Sequence, residues 1–289
     1  MKNGLSNLGL KMNIMSNIKT LLSIFVLLIF SVSCEGGKMS QKAVSSIPQN
    51  NNIEENVLNK LSEKKIYFGH QSVGYNILSG VSDILKENPK VKLNIIRINE
   101  PSALNFPILA HSSIGQNENP ESKIHDFERY MDKGVGNNPD IALFKFCYVD
   151  INRTTDIEKL FSAYKDTMGR LMAKYPNTRF VHITAPLTIP ESSAKAFLKG
   201  LIGKEDNNIK RNLFNEKLRK EYGEKELIFD LAEIESTYPD GSRTFFTSGG
   251  KRYYTLAPEY TDDGGHLNEK GRKIVASDFL RFLSGLAKE

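Results

Sequence analysis

Cysteine is scarce: only Cys34 and Cys147 occur in 289 residues. Charge of one sign is scarce too. The formal net charge is +5, but Lys2, Lys11 and Lys19 precede Cys34 with no acid beside them, so the chain from Cys34 onward carries only +2. With no basic stripe interleaved with aromatics, nothing points to a nucleic-acid partner. Long apolar runs are missing. The longest, Leu21 to Phe30, has ten residues, too few to span a bilayer. No H-E-x-x-H or similar zinc-ligand spacing occurs, so a metal site built from His70, His111, His266 and Asp263 is disfavoured and no cofactor is expected. Internal repeats, low-complexity blocks and a second domain are absent as well.

What is present reads in three parts. Residues 1–33 resemble a signal peptide of the lipoprotein type. Lys11 and Lys19 flank a polar start, the apolar run follows, and Ser31-Val32-Ser33 leads into Cys34. That resemblance implies lipidation at Cys34, a membrane anchor and a place in the bacterial cell envelope, although Ser31 stands where a leucine is usual. An ordinary secretory signal is the simpler alternative. With Cys34 so used, Cys147 has no disulfide partner and is expected as a buried free thiol. Residues 34–52, rich in Gly, Ser, Gln and Asn, read as a flexible tether. Residues 53–289 remain for one folded domain. At 39% hydrophobic and 25% charged, the composition is ordinary for a globular protein.

In that domain, strand and helix patterns alternate to the end. Ile53 to Glu63 suggests a short helix and Ile66 to Phe68 a strand. Ile77, Leu78, Val81, Ile84 and Leu85 share one face of the next helix. Val91–Ile98 is expected as a strand, Glu100–Pro120 as a long loop, and Ile124–Met131 as a short helix. Asp140–Ile151 is nearly continuous apolar sequence and fits a central parallel strand. Asp156–Lys174 (helix), Thr178–Thr184 (strand), Ile209–Tyr222 (helix) and Leu227–Leu231 (strand) follow. Asp240–Asp263 is expected as a second loop, rich in glycine and aromatics, and Glu269–Leu286 as a closing helix capped by Asn268. The pattern predicts a three-layer α/β/α sandwich around a parallel sheet.

Two stretches carry candidate chemistry. At Gly69-His70-Gln71-Ser72 a strand ends, turns and opens a helix, which places Ser72 among free backbone N–H groups at the positive end of the helix dipole. There it is either a nucleophile or simply a helix cap. Near the other end stands Asp262-Asp263-Gly264-Gly265-His266-Leu267-Asn268. Asp263 and His266, three apart on one turn, suit a carboxylate that fixes an imidazole tautomer, leaving the second ring nitrogen to take a proton from a serine. An ordinary Asp-Gly turn gives the same letters.

Together these stretches resemble the SGNH/GDSL hydrolases over essentially the whole folded part. The resemblance implies the flavodoxin-like SGNH fold, Ser72 as nucleophile, His266 as base, Asp263 as the acid that orients it, and an O-acyl ester substrate, either a small molecule or an acetylated glycan. It also implies an oxyanion-hole glycine, for which Gly115 is the best match. Two blocks depart from the family. Its G-D-S is Gly69-His70-Gln71-Ser72 here, and Val149 of Cys147-Tyr148-Val149-Asp150 stands where an oxyanion-hole asparagine belongs. Asn152, the Tyr148 hydroxyl, Gln71 or His70 are the available substitutes. The alternative is an inactive, glycan-binding envelope lipoprotein on the same scaffold. An α/β-hydrolase fits less well, because G-x-S-x-G is broken by an extra residue. His111 is a candidate to line the cleft, His125 and His182 are expected to be ordinary, and Lys145 and Asp150 are expected to form a structural ion pair. The aromatics of the second loop, Phe245, Phe246, Tyr253, Tyr254 and Tyr260, either stack on substrate or pack the loop onto the domain.

Overall fold

The run Ile66-Tyr67-Phe68 sends its side chains alternately to two cores, which fixes a sheet covered on both faces. A computed structural model describes residues 55–136, 139–190, 205–224 and 227–287, all within the unit Ile47–Glu289. Residues 1–54, with the expected signal segment, Cys34 and the tether, lie outside the described residues. The described helices include none long and apolar enough to cross a membrane.

Six parallel strands form the sheet: β1 (Lys65–His70), β2 (Ile95–Arg97), β3 (Ile108–Ser113), β4 (Ile141–Phe144), β5 (Arg179–Ile183) and β6 (Leu227–Phe229). Their order is β2-β3-β1-β4-β5-β6. Without the short edge strand β2, this is the flavodoxin-like order, whose switch point lies beside the first strand. Helices α1 (Glu55–Leu61), α2 (Val73–Glu87), α6 (Leu231–Ser236) and α7 (Glu269–Leu286) cover one face. Helices α3 (Pro120–Tyr130), α4 (Ile157–Lys174) and α5 (Asn207–Tyr222) cover the other. The three-layer expectation holds.

Three elements differ from expectation. The stretch expected as a loop, Glu100–Pro120, contains β3, paired on both sides. Its pattern is hidden by buried polar residues that find partners inside: the Tyr67 hydroxyl lies 2.7 Å from Ser112 Oγ, and His111 Nδ1 lies 3.1 Å from His70 Nε2. The second loop likewise contains an antiparallel hairpin, β7 (Phe245–Ser248) and β8 (Lys251–Tyr254). Conversely, the expected strand Asp140–Ile151 pairs only as far as Phe144 and ends in a 3-10 turn over Tyr148–Asp150. The Asp150 carboxylate forces that turn by accepting from Cys147 N at 2.6 Å. Asp150 is paired with Lys123 at 2.6 Å, both side chains fully buried, and not with Lys145 as expected. Lys145 Nζ instead donates to the Phe146 carbonyl at 3.0 Å and lies 3.8 Å from Sγ of the buried Cys147.

Helix starts sharpen the picture. Asn119, Asp156, Asp206, Asp230 and Asn268 cap α3 to α7 with their side chains. Ser72, at the start of α2, makes no side-chain cap.

Candidate active site

The hydroxyl that fails to cap α2 goes elsewhere. Ser72 Oγ lies 2.9 Å from His266 Nε2, and His266 Nδ1 lies 2.6 Å from Asp263 Oδ2. With Nδ1–H donated to the carboxylate, Nε2 is left to accept the serine proton. Residues from the two ends of the domain meet here because α2 packs along α7. The backbone of Ser72 is held at φ 40°, ψ −99°, a conformation that L-residues avoid and that costs on the order of 1–3 kcal/mol. The turn around it is tied down: Gly74 N donates to Gln71 O at 2.9 Å and Tyr75 N to Ser72 O at 2.8 Å. Gly74 must lack a side chain, since a Cβ there would meet the His70 ring at 2.4 Å.

Asp263 is organised by its own turn. Its Oδ1 accepts from His266 N at 2.8 Å and Gly265 N at 2.9 Å, and the Thr261 hydroxyl lies 3.3 Å away. Partial burial pushes the Asp263 carboxyl upward, but the hydrogen bonds from His266 and Gly265 outweigh it and hold the carboxyl far below the usual range. Gly264 makes the turn possible with φ +90°. Gly265 leaves room for the Tyr148 ring, whose hydroxyl is 3.4 Å from both His266 ring nitrogens. Tyr148 is fixed from behind by Arg211 Nε, which donates to its carbonyl at 2.8 Å. Burial, then the Asp263 charge, raises the Tyr148 hydroxyl, so it stays protonated at neutral pH.

Four of the expected oxyanion contributors are engaged elsewhere. Gly115 N donates to Asp126 Oδ2 at 2.9 Å rather than into the cleft. The Gln71 amide donates to the carbonyls of Ile114 and Gly115 at 2.8 and 2.6 Å, which makes it a tie between turns. Asn152 Oδ1 accepts from the backbone and hydroxyl of Thr154, folding the side chain onto its own loop. His70 is fully buried and pairs with His111. Only Tyr148, of the expected substitutes, presents its polar end to His266. His125 is exposed on α3, and His182 is buried with Nδ1 2.7 Å from the Tyr164 hydroxyl. Among the described residues no group of three or more His, Cys, Asp or Glu is placed to hold a metal ion.

Sequence reasoning missed how deeply several titratable groups are buried around the sheet. Burial, then the Lys145 charge, lowers His70 to about 2; burial lowers His111 and His182 to about 4. Burial raises Glu235, whose Oε1 accepts from Leu187 N, to about 8. The signs oppose. Imidazoles with depressed values lose stabilisation as pH falls below about 6.5, whereas a carboxyl with a raised value loses it as pH rises from about 4.5 to 8. Three imidazoles outweigh one carboxyl below about 6.5, so thermal stability is expected to peak near pH 6–7. From there to pH 8 Glu235 lowers it, while the buried Lys145, whose value burial depresses, works in the opposite direction. Melting curves of Glu235→Gln should lose the alkaline decline and keep the acid one; an unchanged alkaline limb would show that Glu235 is not its source.

Comparisons with solved structures give distant similarities. Similar solved structures include a protein assigned as a GDSL-like lipase from Parabacteroides merdae, 14% identical, covering 78% of this chain and 97% of that one, with a TM-score of 0.49. Another, assigned as an acylhydrolase from Bacteroides fragilis, is 14% identical over 78% and 88%, with a TM-score of 0.46. A family 3 carbohydrate esterase from Clostridium thermocellum is 12% identical over 78% and 97%, with a TM-score of 0.43. No protein-family model and no curated protein matches the sequence.

Proposed function

We propose that this chain, whose fold is of the SGNH/GDSL type, is a divergent serine hydrolase of that family. It cleaves O-acyl esters, and its setting is the bacterial envelope, anchored through Cys34. One observation carries the reading: the unbroken line from Ser72 Oγ through His266 to Asp263, made by a serine withdrawn from helix capping and held in a strained backbone. Neither feature serves a domain that only binds.

In the proposed cycle Ser72 attacks the ester carbonyl while His266 takes its proton, and Asp263 stabilises the imidazolium. His266 then protonates the departing alcohol, and water returns by the same route to release the acid. The tetrahedral oxyanion forms at the start of α2, where the Ser72 N–H precedes the helical ladder and the dipole is positive. Tyr148 replaces the family's asparagine as the second donor. An acetylated glycan suits the expected envelope location. The half-exposed Phe245 and the stacked Phe246–Tyr253 pair of the hairpin offer apolar ring faces to it.

The test has two readings. The purified protein should hydrolyse p-nitrophenyl acetate, and a fluorophosphonate should label Ser72, read by peptide mass. Neither turnover nor a Ser72 adduct would leave the glycan-binding alternative. Tyr148→Phe should lower kcat about a hundredfold with folding intact, since the loss of one oxyanion donor costs roughly 10²–10³. An unchanged kcat would reduce Tyr148 to packing against Gly265.

A further inference from the structure

Beside Ser72, on the side away from His266, the rim carries an exposed cation. Arg97 ends β2 and is exposed, in register with His111 of β3. Its Nη2 lies 3.5 Å from Ser113 Oγ, and its guanidinium carbon sits 5.9 Å from the centre of the Tyr75 ring. The Tyr75 hydroxyl is itself 2.7 Å from Ser113 Oγ. Tyr75 stands one turn after Ser72 on α2, so the arginine, the tyrosine and the nucleophile lie along the same rim. Among the described residues no carboxylate lies within ion-pair reach of Arg97. Arg129, Arg219 and Arg272, by contrast, each sit on one. The histidines nearby do not share its charge: burial, then Arg97 itself, keeps His111 neutral at physiological pH.

We infer that Arg97, with Tyr75 and Ser113, forms an anion subsite of the cleft, and that the ester taken by this chain carries a carboxylate remote from the bond that breaks. This rests on the esterase reading above. A guanidinium presents a planar fork that suits a carboxylate, and an unpaired one at a cleft edge binds it without first breaking an internal ion pair. β2 lies two strand spacings from β1, about 10 Å, so the charge belongs several bonds from the ester carbon. Such a substrate is a half-ester of a dicarboxylic acid or the ester of an alcohol that bears an acid group.

Three esters separate these cases: neutral p-nitrophenyl acetate, p-nitrophenyl hydrogen adipate with its charge on the acyl side, and 4-acetoxyphenylacetate with its charge on the alcohol side. In Arg97→Gln, the kcat/KM of one charged ester relative to the neutral one should fall about fivefold to tenfold, mainly through KM. Arg97→Lys should restore part of that ratio, and added salt should shrink the wild-type preference. Ratios unchanged for both charged esters would overturn the subsite. If wild type cleaves none of the three, the esterase reading fails, and adipate titrated by NMR decides the subsite alone. Adipate binding weakened in Arg97→Gln supports it, and equal binding removes it.

Discussion

Ser72→Gly is expected to lose at least three orders of magnitude in kcat/KM and to melt higher than the wild type. Both effects come from one residue. The hydroxyl lies 2.9 Å from His266 Nε2, and removing a nucleophile that works with its base forfeits most of the rate. The backbone at this position sits at φ 40°, ψ −99°, strain that an L-side chain carries and glycine largely relieves. Relief of about 1 kcal/mol raises Tm by roughly 2–4 °C in a domain of this size. Ser72→Ala should match the activity loss without the full thermal gain, because alanine keeps the Cβ. Ester hydrolysis and thermal melts on the two variants settle it. A glycine variant less stable than the alanine one would show that the turn is not strained.

Asp150→Ala is expected to be the most damaging stability change at this rim. The carboxylate accepts from Cys147 N at 2.6 Å, Glu118 N at 3.0 Å and Lys123 Nζ at 2.6 Å. Asp150 and Lys123 side chains are both at 0% exposure, so deletion strands an ammonium where water does not reach. Breaking such a pair costs about 3–5 kcal/mol, and each orphaned backbone N–H about 1–3 more. That sum approaches the whole stability of a typical domain, and the variant should be largely unfolded. Asp150→Asn with Lys123→Met should recover much of the loss, because it removes the stranded charge and keeps one acceptor. Denaturant titration of single and double variants reads the difference. Equal loss in the double variant would place the cost in the turn rather than in the buried charge.

How far the sequence revealed this architecture depends on where polarity lies. Ile66-Tyr67-Phe68 and the last helix are legible because their apolar periods match their burial. Asp263-x-x-His266 is legible because its chemistry is local: two side chains and two backbone donors on one turn. Strand β3 is not, since His111, Ser112 and Ser113 read as loop until Tyr67, His70 and Tyr75 are seen to satisfy them. Gly115 and Gln71 mislead for a similar reason. Their donors look free along the chain, and only tertiary structure supplies Asp126 and the two carbonyls that take them. Arg97 gives no signal either; its interest is the missing acid, which is a property of three-dimensional neighbours.

The docking of α2 against α7 has a consequence for when the site can form. Gly80 lets the helices touch, with Arg272 O where a Cβ would lie at 2.4 Å, and this contact is what carries His266 to Ser72. A chain still emerging from the ribosome or clipped near its C-terminus holds Ser72 without His266 beside it. On the proposed reading, hydrolysis is therefore expected only once the final helix has closed against the first half of the domain.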